Sequence, residues 1–177
     1  MTELERLLSQ YAAYHLDQKN IYTHFVGIPM IVFSIMSLTA RAGVMTSGGE
    51  LTLALRLLLA STLYYFSLDR IFALIMLLIY VVAYPLAYRI AQLDTAVWLS
   101  VSIGIFVVGW VFQFVGHFYE KKKPAFMDDV IGLAIGPLFV LAEMVFMFGF
   151  RKELEQRMLA EARKQRAAMD AQTVSLN

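Results

Sequence analysis

The sequence predicts an all-α protein, an integral membrane bundle of four to five hydrophobic helices. An amphipathic helix precedes the bundle and a charged helix follows it. Three observations carry this reading. Hydrophobic residues fill 59% of the 177 positions and charged residues 16%, against roughly 45–50% and about 25% in soluble domains. Mean hydropathy is +0.63, and a soluble domain of this length leaves about a third of its unfolded surface in water, too much for so apolar a chain. Uncharged runs of the length that crosses roughly 30 Å of hydrocarbon also recur along it. The net charge of +1 offers no basic field for nucleic acid. The absence of cysteine excludes disulfides, thiolate metal sites and thiol nucleophiles.

The elements follow in order, as a single membrane-embedded domain over 1–177. In 1–19, Leu4, Leu7, Leu8, Tyr11, Tyr14 and His15 recur at three- and four-residue spacing among Glu3, Glu5 and Arg6, the pattern of an amphipathic helix. Residues 20–40 hold no Asp, Glu, Lys or Arg. The second hydrophobic helix, 51–68, carries only Arg56 near its start, where a long side chain snorkels to the interface. The third, 71–88, and the fourth, 95–119, are uncharged. A fifth, 130–150, contains Glu143 and the pair Gly136-Pro137. Between the first two, Arg41 to Glu50 is rich in Gly and Ser and reads as a turn region. The polar tail, 151–177, has acid–base pairs such as Glu153/Arg157 at helical spacing.

If the first four helices span, one membrane face carries Lys19, Arg70 and Lys121-Lys122-Lys123, and the positive-inside rule makes it cytoplasmic. The tail cluster Arg151, Lys152 and Arg157 would then lie outside if the fifth helix also spans. A re-entrant fifth segment, broken near Pro137, removes that conflict. A bacterial inner membrane is the expected location, or the endoplasmic reticulum in a eukaryote.

The chain has three histidines. His15 and His24 flank the start of the first span and His117 sits at the end of the fourth, so all three share the cytoplasmic face. On one continuous helix His15 and His24 would point to opposite sides. Asp17-Gln18-Lys19-Asn20 reads as a turn, with Asn20 the candidate N-cap, and that turn lets both rings face one point. Gln113, His117 and Glu120 lie along one face of a third helix. Three neutral imidazoles suit zinc, copper, nickel or ferrous iron. Glu120 is a candidate fourth ligand, or with Asn20, Tyr14 and Gln113 a group that orients the imidazoles. The plainer account is that interfacial histidines find carbonyls or headgroups, and that Tyr11, Tyr14, Tyr22, Phe25, Phe114, Phe118 and Tyr119 form an aromatic belt. Glu143, an acid within a hydrophobic segment, is a candidate for proton handling or for a structural hydrogen bond.

Two blocks are more specific. The first is Tyr11-x2-Tyr14-His15-x4-Asn20-x3-His24-x2-Gly27-Ile28-Pro29, the second Gln113-x2-Gly116-His117-x2-Glu120-Lys121-x2-Pro124-Ala125. Together they resemble the Mpo1-like family of 2-hydroxy-fatty-acid dioxygenases over nearly the whole chain, and all three histidines fall inside them. The resemblance implies Fe(II) held by His15, His24 and His117, with O2 and a 2-hydroxy long-chain fatty acid as substrates and membrane lipid as the surroundings. The acid is shortened by one carbon, as in fatty-acid α-oxidation. Oxidation of R–CHOH–COOH by O2 to R–COOH, CO2 and H2O balances without a further reductant. Lys121, Lys122 and Lys123 would attract the substrate carboxylate, and the acyl chain would lie between membrane helices. Three other readings remain open: a small transporter in which Glu143 and the histidines relay protons, an assembly protein with incidental histidines, and a zinc-dependent membrane hydrolase.

Overall fold

The computed structural model describes residues 1–125 and 131–175, so Val130, the first residue of the fifth predicted helix, and the last two residues of the tail lie outside the described residues. The described elements are α1 (Glu3–Ala12), α2 (Gln18–Ala40), β1 (Gly43–Thr46), β2 (Gly49–Thr52), α3 (Leu53–Leu68), α4 (Arg70–Ala91), α5 (Thr95–Glu120), α6 (Ile131–Met147) and α7 (Lys152–Ser175). The fold is all-α apart from the short hairpin. Among the described residues α2, α4 and α5 are long and apolar enough to cross a membrane, while α3 and α6 are apolar but shorter.

The chain divides into two compact units, Met1–His24 with Phe114–Asn177, and Phe25–Gln113. In the first unit, Thr2 caps α1 by accepting the Glu5 N–H, and the Glu5 carboxylate returns the bond to the Thr2 N–H. This reciprocal cap fixes the helix start. The predicted amphipathic helix ends early, at Ala12, because Tyr14 and His15 donate to carbonyls only three residues back, at Tyr11 and Ala12. That tight turn leads directly into α2. The Asp17 side chain accepts the Lys19 N–H at 2.7 Å, so Asp17 rather than Asn20 holds the start of α2. Asn20 lies in the first helical turn.

The α1 helix packs against α6 and α7. Leu8, Ala12, Ile135, Leu138, Phe139, Met158 and Ala162 are buried there. The charged tail thus contributes an apolar stripe, Leu154, Met158 and Ala162 at four-residue spacing, the period of one helix face. Arg157 reaches Glu5 at 2.8 Å, and Glu153 lies 3.8 Å from Arg157, as its spacing predicts. The break expected near Pro137 does not occur, since α6 runs through it without interruption. The proline ring removes one donor early in α6, at the cost of the bond to Leu133 four residues back.

In the second unit, the Gly/Ser-rich turn region folds as a hairpin, β1 pairing antiparallel with β2 and Val44 opposite Leu51. The two-residue tip, Ser47-Gly48, is the loop length that joins adjacent strands most directly. Helices α3 and α4 form a helical hairpin whose hinge is Asp69, which accepts the N–H groups of Ile71 and Phe72. Within this unit α2 and α5 touch backbone to backbone. A Cβ on Gly109 would stand 2.9 Å from the Gly27 carbonyl oxygen, the close approach that small residues permit between membrane helices. Ser37 and Ser102 share a hydrogen bond of 2.8 Å, and Trp98 donates to the Ser37 carbonyl. Ile71, Leu74, Leu78, Val81 and Val82 of α4 are exposed, a surface suited to lipid.

Candidate metal centre

The first unit gathers the three histidines. His15 follows the turn after α1, His24 stands seven residues into α2, and His117 lies in the last turn of α5. All three are buried, and one nitrogen from each falls within 4.8 Å of the others. The rings meet edge to face, with interplanar angles of 76°, 68° and 82°. This orientation turns ring edges, which carry the nitrogens, toward a common point.

Tautomers follow from the backbone. His15 Nδ1 lies 2.7 Å from the Tyr11 carbonyl and His24 Nδ1 lies 2.9 Å from the Asn20 carbonyl. A carbonyl only accepts, so both Nδ1 atoms carry the proton and both Nε2 atoms present lone pairs. Those Nε2 atoms are 3.0 Å apart. His117 Nδ1 is buried with no hydrogen-bond partner among the described residues. Two nitrogens bound at about 2.1 Å to one first-row cation stand about 3–3.4 Å apart, so the His15–His24 spacing fits a shared cation. Three neutral nitrogen donors, one of them an orphan, form a donor set suited to a transition-metal ion. Burial, and then the neighbouring imidazoles of His24 and His117, hold the His15 imidazole well below its usual range. It therefore stays neutral, as a ligand must.

The surroundings are built from one carboxylate. Glu120 is buried, and its Oε2 accepts from the Asp17 N–H at 2.8 Å and from Asn20 Nδ2 at 3.2 Å. Its Oε1 accepts from Arg166 Nη1 at 2.6 Å. Both oxygens are thus occupied by donors that tie the start of α2 and the middle of α7 to the end of α5. Asn20 Nδ2 also reaches the Tyr14 carbonyl at 3.3 Å. Gly116, one residue before His117, faces Asn20 and Thr23 so closely that an added Cβ would collide with both side chains. This explains why the second block reads Gly-His.

The aromatic belt is only part of the aromatic pattern. Tyr22, Phe114, Phe118 and Tyr119 are exposed, whereas Tyr11 is buried. Its ring lies flat on His15, centroids 4.2 Å apart and planes within 1°, with Phe139 tilted against both. A cavity of about 220 Å³ opens beside Tyr11 and Tyr14, lined also by Leu7, Gly132, Ile135 and Met169.

The remaining candidates lie elsewhere. Gln113 belongs to the second unit, with its Nε2 buried against Gly27 and unpartnered. Lys121 closes α5 at positive φ, and Lys122 pairs with Asp170. Glu143 is half-buried on α6 and is not part of the histidine cluster. Arg166 was not foreseen from the sequence. It continues the stripe of Leu154, Met158 and Ala162 by one more four-residue step, and a charge on an apolar stripe is the mark that distinguishes it from its solvated neighbours.

Comparison with known proteins places these features in context. The family described as 2-hydroxy-palmitic acid dioxygenase Mpo1-like matches residues 1–148. The chain is 30% identical to 2-hydroxy-palmitic acid dioxygenase MPO1 of Saccharomyces cerevisiae over 161 residues, which cover 88% of this chain and 87% of the yeast protein. No solved structure matches it significantly.

Proposed function

Given that the chain belongs to the 2-hydroxy-palmitic acid dioxygenase Mpo1-like family, we propose that it is an Fe(II)-dependent dioxygenase that shortens 2-hydroxy fatty acids by one carbon. The observation that carries the proposal is the convergence of His15, His24 and His117, with two facing lone pairs and an orphaned third nitrogen. These three residues would hold the ion. Bound there, Fe(II) supplies a Lewis acid for the hydroxy acid and a redox centre for O2. The net conversion, R–CHOH–COOH and O2 to R–COOH, CO2 and H2O, draws all its electrons from the substrate.

The chain's own groups set the conditions. The Tyr11 and Asn20 carbonyls keep the Nδ1 protons on His15 and His24, so that Nε2 remains the donor on each. Tyr11 and Phe139 cover the His15 ring and exclude water from that side. Glu120 and Asn20 hold the turn between the two histidines rather than serving as ligands, because the Glu120 oxygens are already engaged. The cavity beside Tyr11 and Tyr14 accommodates part of an acyl chain. The positive-inside rule applied to Lys19 and Lys121 to Lys123 supports a centre near the cytoplasmic face, where the lysines would draw a carboxylate toward the membrane surface.

The test is anaerobic loading of the detergent-purified protein with Fe(II), then O2 uptake with 2-hydroxypalmitate. One O2 consumed per pentadecanoate formed, lost in His15→Ala, His24→Ala and His117→Ala, is the expected result. No uptake by iron-loaded protein overturns the proposal, and hydrolysis supported by zinc instead would replace it.

A further inference from the structure

We propose that Arg166 of α7 is a positioning residue for the metal centre, and that α7 is the strap that closes it. The inference rests on the metal reading above. It concerns a helix beyond the residues matched by the family, which end at 148. Arg166 Nη1 donates to the Ala13 carbonyl at 2.8 Å and to Glu120 Oε1 at 2.6 Å, and Nη2 donates to the Glu120 carbonyl at 3.2 Å. Its side chain is 18% exposed and that of Glu120 2%, so solvent screens this pair little.

The two residues it contacts lead to all three histidines. Ala13 precedes His15 by two residues, within the turn that aims its ring. Glu120 follows His117 by three residues on the same helix face. Glu120 Oε2 accepts from Asn20 Nδ2, and the Asn20 carbonyl accepts from His24 Nδ1. One guanidinium thus fixes the separation of the three chain segments that deliver the imidazoles. Its planar fork is suited to this, because a lysine has one nitrogen and cannot reach all three acceptors in the same geometry.

Arg166→Gln and Arg166→Lys are to be compared with Arg157→Gln, which breaks the α7–α1 ion pair with Glu5 away from the histidines. Apo-proteins are titrated with Co(II), reading the dissociation constant and the visible ligand-field spectrum, with circular dichroism to follow the fold. Arg166→Gln is expected to weaken Co(II) binding about 10- to 100-fold, the usual effect of losing a group that orients ligands, and to shift the spectrum. Arg157→Gln is expected to change neither by more than about twofold, and Arg166→Lys to recover only part of the affinity. If Arg166→Gln does not fold, Arg166→Lys carries the test, where a loss of about fivefold or more supports the proposal. Wild-type affinity and spectrum in the folded Arg166 variant overturn it, as does an equal loss in Arg157→Gln. Failure of the wild-type protein to bind Co(II) overturns the underlying metal reading instead, so the two failures are distinct.

Discussion

His15 and His24 face each other through their Nε2 atoms at 3.0 Å, while both Nδ1 protons are committed to backbone carbonyls. Two lone pairs at that distance repel unless a proton or a cation lies between them. Burial disfavours the proton on His15, and in the proposed function a metal ion would relieve the pair. Metal binding is therefore expected to stabilise the fold. At a free Co(II) concentration of about 100 times Kd the gain is about 2.7 kcal/mol, read as a rise in Tm that a chelator reverses. His24→Ala should abolish the metal-dependent part of that rise, whatever it does to the metal-free Tm, since the readout is the difference with and without Co(II) on the same variant.

The apo-protein should also lose stability as the pH falls. A histidine in the unfolded chain titrates near about 6.5, whereas burial and two neighbouring imidazoles hold His15 well below that value in the folded state. Between those two values the unfolded state binds more protons, so stability rises with pH across the window and falls as the solution is acidified through it. Above about pH 7 both states are neutral at His15 and the contribution is flat. Urea midpoints measured from pH 7.5 to 5 should decline for the wild-type apo-protein and decline less for His15→Phe, which removes the titrating group.

The three histidines were legible in the sequence because the signals involved are local: a turn at Asp17 to Asn20, and helical spacing from Gln113 to Glu120. The apolar helices were legible for the same reason, through runs free of charge. What escaped depends on contacts distant in sequence. The Arg166–Glu120 pair joins positions 46 residues apart, and although the four-residue stripe marks Arg166 among Arg163, Lys164 and Arg166 as the inward cation, nothing local names its partner. The role of Tyr11 escaped likewise, because an aromatic residue before a membrane helix fits a belt as well as a histidine cover. Asn20 was read as a cap from its type and place, but Asp17 took that role three residues earlier. The hairpin at 43–52 was read only as a turn, since its four-residue strands are too short to show a convincing alternation.

Gly116 should tolerate no larger residue. A Cβ there would collide with the Asn20 and Thr23 side chains, and Asn20 is tied to both Glu120 and Tyr14. Gly116→Ala is expected to cost about 1–3 kcal/mol, the usual effect of overpacking, and to weaken metal binding by moving Asn20, whose carbonyl orients His24. The control is Gly104→Ala, where an added Cβ meets nothing within 4 Å; its Tm should hold or rise slightly, since alanine favours a helix over glycine, and its metal affinity should be unchanged. Equal behaviour of the two variants would show that the Gly116 contact does not matter.

Chain-length preference should be set by the cavity beside Tyr11 and Tyr14. Its apolar lining includes Leu7, Ile135 and Met169, and Tyr11 is shared between its wall and the His15 ring. Gly132 also lines it, from the start of α6. A leucine at 132 adds four carbons, the volume of about four methylenes, and each buried methylene is worth about 0.8 kcal/mol. Gly132→Leu is therefore expected to raise KM for 2-hydroxypalmitate by up to about 200-fold. A 2-hydroxy acid of ten carbons, whose chain stops short of the filled space, should be shortened at the wild-type rate. Circular dichroism and metal affinity measured on the same sample separate a blocked cavity from a damaged fold or centre. An equal loss on both substrates would place the acyl chain elsewhere.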